Sequence, residues 1–229
     1  MKIRLLENLK LEDVNLIIET IKILDKHVER INNNYRKISD YFYNTEEDYE
    51  AFEELSESEV FLKTGRKLTF EGSGIEAGAY YLSGCNFIIK LYKNSEKDSL
   101  EKYMELSKHT DSLVKTYGDF KTDNAQYIIQ EKVKTFDSND VILDENTFLS
   151  FYWELLKLSK HCLVLDVHYA NIGLDDKGVL KIIDWGAFDL NKTGQEINDE
   201  IWFNILRFNH RGKINIIKEV FENEVKILQ

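Results

Sequence analysis

Three polar residues stand out in the apolar stretch from Leu163 to Ala187: Asp166, Asn171 and Asp184. Asn171 follows Asp166 by five positions, and Asp184 comes thirteen further on, directly before Trp185 and Gly186. Between the last two, Ile172-Gly173-Leu174 and Val179 to Ile183 flank Asp175-Asp176-Lys177-Gly178, which predicts a short hairpin. A loop, a hairpin and a second loop would bring Asn171 and Asp184 to the same end of two paired strands. Two oxygen ligands held there suit a hard cation such as Mg²⁺, which takes one or two carboxylates together with substrate phosphates. Asp166 then adds a carboxylate able to orient or accept a hydroxyl proton. Taken singly, Asp166 and Asn171 also read as loop caps, and Asp184-Trp185-Gly186 as an ordinary turn. Their order along the chain is what the chemical reading explains.

The pattern D-x-x-x-x-N followed by D-x-G resembles the catalytic and metal-binding loops of the protein kinase-like superfamily. The resemblance implies an α+β, bilobal protein kinase-like fold. Its parts would be a helical N-terminal extension over 1–60, a mainly antiparallel-sheet N-lobe over 61–133 and a truncated helical C-lobe over 134–229. It implies ATP and Mg²⁺ as cofactors, with Asn171 and Asp184 on the metal and Asp166 at the acceptor hydroxyl.

The elements that must position these groups lie upstream. In Lys67 to Lys93, strand-like runs at Lys67 to Phe70, Ala79 to Leu82 and Asn86 to Tyr92 are separated by glycine-containing turns. Glycines at 72, 74 and 78 let backbone amides approach an anion closely. The segment resembles a kinase glycine-rich loop, which implies that Gly72, Ser73, Gly74 and Gly78 cover phosphates, with Ala77 or Gly78 as its third small residue. Lys90 closes Phe87-Ile88-Ile89-Lys90, similar to the V-A-I-K strand, and its ammonium would sit on the α/β-phosphates. By itself the segment also fits a lysine whose stem lies on the sheet while its charge stays in water.

Ser95 to His109 reads as a helix carrying Glu101 and Glu105. Leu113 to Gly118 resembles the strand after the kinase αC helix. Counting back from it puts Glu101 at the lysine-pairing position, with Glu105 one turn away as the alternative. Gln126 to Val133 reads as a strand entering a linker. By resemblance Gln130 is the gatekeeper, and the Glu131 carbonyl and Val133 amide bond the adenine edge. Phe148, Tyr152, Leu155 and Leu156 have helical spacing ahead of the catalytic segment.

The strongest periodicity is N-terminal. Val14, Ile17, Ile21, Leu24, Val28, Ile31, Tyr35, Ile38 and Phe42 alternate spacings of three and four, with Asp13 as a candidate N-cap. The stripe predicts a helix, or two, packed on the rest of this chain, or else a seam for a homodimer or a partner. An acidic connector follows from Thr45 to Glu59. After Gly186, helical patterns fit roughly 196–208 and 214–228.

With 229 residues, 43% hydrophobic and 12% aromatic, the chain has the composition of a globular protein. A net charge of −11 with no basic block argues against a nucleic-acid binder. Cys85 and Cys162 are too few for a disulfide framework, so a reduced, cytoplasmic setting is expected. No apolar run is long enough to span a membrane.

Three departures refine the resemblance. Val164-Leu165 stand where kinases carry His-Arg, so no basic residue awaits a phosphorylated activation loop. His168, two after Asp166, gives D-x-H-x-x-N, similar to aminoglycoside and other small-molecule kinases, and would donate to the γ-phosphate. Trp185 replaces the phenylalanine of D-F-G. The expected activity is that of a compact Ser/Thr protein kinase acting on a protein substrate without loop phosphorylation. It resembles the reduced kinases that phages express or that bacterial pathogens deliver into host cells. A small-molecule kinase is the alternative, and a pseudokinase binding module is a third.

Overall fold

Alternating apolar residues around the glycines build an antiparallel sheet in a computed structural model of the chain. Its strands are β1 (Lys2–Leu5), β2 (Leu68–Ser73), β3 (Ala77–Leu82), β4 (Phe87–Tyr92), β5 (Thr116–Lys121) and β6 (Gln126–Glu131). They form one six-stranded sheet in the order β1-β5-β6-β4-β3-β2. The fold is therefore mixed α+β with a mainly antiparallel sheet. The structure describes residues 1–6, 9–34, 59–73, 77–92, 99–136, 145–164, 167, 171–184 and 188–190. Two compact units divide the chain, Met1–Leu100 with Lys115–Lys132, and Glu101–Val114 with Val133–Gln229.

In the first unit, period-two alternation sends Tyr80, Leu82, Ile89, Leu91, Tyr127 and Ile129 into a core that also holds the stripe of α1 (Leu11–Asn34). Ile17, Ile21, Leu24 and Val28 of that stripe are at most 1% exposed. Burying each such side chain contributes roughly 1.5–3 kcal/mol, so the helix is held by packing on its own chain. These four residues therefore pack on their own chain; the Ile31 side chain and Tyr35, Ile38 and Phe42 lie outside the described residues. Asp13 falls within the first turn of α1, because the helix begins two residues before it. Asp25 ties α1 to the β5–β6 turn by accepting from Thr122 Oγ1 (2.5 Å), Asn124 Nδ2 (3.0 Å) and the Tyr127 hydroxyl (3.1 Å). Burial, with this carboxylate alongside, pushes the Tyr127 phenol far above its ordinary value.

Residues 2–5 depart from the helical extension expected over 1–60: they form an edge strand on β5, with Arg4 opposite Asp119 and Leu5 opposite Gly118. Strand signals are weak over four residues, so the pairing was hidden in the sequence. Its lock is chemical. Asp119 is buried and accepts Arg4 Nε (3.1 Å), Arg4 Nη2 (3.3 Å) and Gln126 Nε2 (3.0 Å). Gly118 permits the approach, since a Cβ there would lie 2.2 Å from the Arg4 carbonyl oxygen.

The second unit is built from short pieces. It holds most of α2 (Ser99–Leu106), α3 (Glu145–Ser159), and the strands β7 (Lys134–Thr135), β8 (Leu163–Val164), β9 (Ile172–Leu174), β10 (Leu180–Ile182) and β11 (Phe188–Asp189). Phe148, Phe151, Tyr152, Leu155 and Leu158 give α3 its buried face. Glu154 accepts the Thr110 hydroxyl at 2.9 Å and pairs with Lys157 at 2.6 Å. Burial pushes the Glu154 carboxyl up, but these bonds outweigh it and hold the group below its ordinary range. The expected helices near 196–208 and 214–228 and the acidic connector at 45–58 fall outside the described residues. No described helix is long and apolar enough to cross a membrane.

Candidate functional site

The hairpin read from Ile172 to Ile183 is present. β9 and β10 pair antiparallel with Ile172 opposite Ile182 and Leu174 opposite Leu180. Its turn is self-contained: Asp175 Oδ1 accepts Lys177 N (2.9 Å) and Val179 N (2.8 Å), and Gly178 supplies the positive φ of 77°. On its outer side β10 is steadied by residues 112–114, through Ile182 N to Ser112 O (2.7 Å) and Val114 N to Ile182 O (2.9 Å). At the open end Ile183 N donates to Asn171 O at 2.9 Å. Asn171 and Asp184 therefore flank one end of the hairpin, both partly buried.

A second ladder encloses the first. β8 pairs antiparallel with β11, Val164 opposite Phe188 and Leu163 opposite Asp189. The segments between the two ladders are 165–171 on one side and 183–187 on the other. Asp166 and His168 lie outside the described residues, as do Trp185 and Gly186, but the ends of both segments are fixed by strand pairing. Val167 between them is fully buried.

The sheet of the first unit positions the upstream residues. Cross-strand register sets Gly72 opposite Ala79, Ala79 opposite Lys90, and Lys90 opposite Ile128. Directly opposed residues share a face, so Lys90 lies on the face turned away from α1, in one row with Gly72. Ser73 pairs with Gly78 at the end of the β2–β3 hairpin, and Gly74 lies outside the described residues. A Cβ at Gly72 would meet nothing within 4 Å, which leaves open space over the backbone there. That opening, with an ammonium-bearing residue in the same row, fits a phosphate-bearing ligand. Asn171 and Asp184, at one end of the hairpin, are of the oxygen-bearing types that Mg²⁺ takes.

Glu101 stands exposed on α2. Glu105, the alternative partner for the lysine, is engaged at its own helix end by Lys108 Nζ (2.5 Å) and His109 Nε2 (3.7 Å). The Lys108 hydrogen bond holds the Glu105 carboxyl below its usual range. Glu131 closes β6, its N–H donating to Lys115 O at 2.8 Å, and Val133 is buried beside Gly173.

One feature was not anticipated. The face that bears Lys90 also carries Thr116, Asp119, Gln126 and Gln130, all at most 2% exposed. The signal was present in the alternation Gln126-Tyr-Ile-Ile-Gln130, which puts polar residues at both ends of one face of β6. No family model matches the chain and no curated protein matches it; the chemistry is read from these residues alone.

Proposed function

We propose that this chain is an ATP- and Mg²⁺-dependent phosphotransferase, a compact Ser/Thr protein kinase that works without phosphorylation of an activation loop. The observation that carries this reading is the 2.9 Å bond from Ile183 N to Asn171 O. It sets the carboxamide and carboxylate residues of D-x-x-x-x-N and D-x-G side by side. Support comes also from Lys90 on the third strand of a meander whose first turn carries the glycines.

The bound magnesium nucleotide supplies the transferable phosphoryl group and much of the neutralising charge. The chain's own residues do the positioning. Gly72, Ser73, Gly74 and Gly78 would cover the phosphates, Lys90 would clamp them, and Glu101 would steady the ammonium. Asn171 and Asp184 would hold the metal, Asp166 would orient the acceptor hydroxyl and take its proton, and His168 would donate to the terminal phosphate. The Glu131 carbonyl and Val133 amide would bond the adenine edge.

Incubation with radiolabelled ATP, Mg²⁺ and a generic protein substrate tests the reading, with Asp184→Ala as control. Labelled protein, absent in the control, supports it. Turnover only with a hydroxylated small molecule would favour the alternative suggested by Asp166 and His168. No turnover and no nucleotide-dependent thermal shift would leave a binding module.

A further inference from the structure

We infer that His109 and His161 form a proton-sensitive clasp in the second unit, closed while the pair holds at most one proton and opened by the second. The two imidazoles stack with ring centroids 3.5 Å apart and planes 11° from parallel. Each follows a helix end that its own backbone closes. His109 N donates to Leu106 O (3.0 Å) after α2, and His161 N donates to Leu158 O (2.8 Å) after α3. Rings this close to parallel aim their lone pairs along nearly parallel lines. That leaves the proton, not a shared metal ion, as the ligand they respond to.

The clasp joins two turns on which the supports of the β9–β10 hairpin depend. Shortly after His109, the 112–114 segment bonds the outer side of β10 through Ser112 O and Val114 N. On the other arm, β8 starts at Leu163, just past His161, and pairs with β11. Parting the rings would free the first turn from the second and loosen the hold on Ile182, next but one to Asp184.

One charge suits the stack, since an imidazolium lies well over a neutral ring. Two charges at this separation repel. Glu105 Oε1 lies 3.7 Å from His109 Nε2, but Lys108 Nζ already engages that carboxylate. Lys160 adds a positive charge from the turn after α3. Lys102 of α2 and Asp189 of β11 act on the adjoining Cys162 and oppose each other in sign. Burial, His109 and Lys160 hold the His161 imidazole below its ordinary value of 6.5, against the pull of Glu105. An imidazole held low in the fold takes its proton more readily in the unfolded chain. Stability is therefore lost as pH falls through 6.5, and the loss ends once the folded ring is charged.

The test follows amide protection in the full chain by hydrogen exchange, corrected for the intrinsic rate, from about pH 8 to about pH 5. Glu154, which accepts from Thr110 beside His109, stays ionised over that range. In wild type, protection of the Val114 and Ile182 amides should fall about fivefold on the acid side, the worth of one aromatic pair, while β4 and β6 keep theirs. His161→Phe retains a ring that stacks but takes no proton, and its protection should stay level. His161→Ala lacks the ring, and should begin about fivefold lower and stay there. His109→Phe should level the profile in the same way, so either phenylalanine variant suffices if the other fails to fold; thermal melts near neutrality show which are folded. Level protection in wild type, or an acid loss that persists in a folded phenylalanine variant, overturns the inference.

Discussion

Lys90 sits mid-strand with a ladder partner on each side, whereas Asn171 and Asp184 sit where a ladder stops. The six-stranded sheet places its chemical group by register: a row, a face and a buried helix behind it fix where the lysine stem leaves the backbone. The β8–β11 segment does the opposite, with pairings of two or three residues fixing only the ends of the stretches 165–171 and 183–187. A sheet tolerates changes to its surface but not to its register. On the proposed reading, the hairpin should tolerate changes at its tip and lose activity on changes to Asn171 or Asp184.

Substitutions can test that contrast, beginning with the largest expected effect. On the proposed reading, Asp184→Ala should lower phosphotransfer about a thousandfold, or about 4 kcal/mol in the transition state, while the melting temperature barely moves. A kinetic assay beside a thermal melt checks it; a large drop in stability would mean that Asp184 serves the fold. Leu24→Ala should do the reverse. It empties a fully buried position between α1 and the sheet and should cost about 3 kcal/mol of unfolding free energy in a denaturant titration. Gly118→Ala should cost about 2 kcal/mol, because the new methyl collides with the Arg4 carbonyl and drives β1 off the sheet edge. Amide exchange should rise at residues 2–5 and stay slow in β4 and β6.

The smallest effect tests the second unit through pH. The folded-state carboxyl of Glu154 lies below its ordinary value of 4.5. Its contribution to stability is thus present above that value and is lost as pH falls through the lower, folded one. Glu154→Gln should remove about 1 kcal/mol near neutrality, the worth of its bonds from Thr110 and Lys157, and should flatten the acid side of a melting-temperature profile. An unchanged profile would show that these bonds do not differ between folded and unfolded chain.

Legibility followed the same division. The strands β2, β3, β4 and β6 and the helix α1 were readable because each carries several turns of a single period. The hairpin turn was readable because Asp175 and Gly178 have few other uses in that spacing. β8 and β11 were not, since two residues cannot show a period, and β1 was lost for the same reason. The buried Asp119 was hidden because its partner Arg4 is 115 positions away in sequence. Glu105 stood one turn from Glu101 in the sequence as the alternative partner for the lysine. Its contacts with Lys108 and His109 became visible only in the structure.

The hairpin tip gives the experimenter a handle. Asp175 satisfies the turn from within, and Lys177 and Val179 face solvent three residue pairs away from Asn171. A fluorophore attached there would ride on a rigid stalk, reporting on events at the far end without touching them.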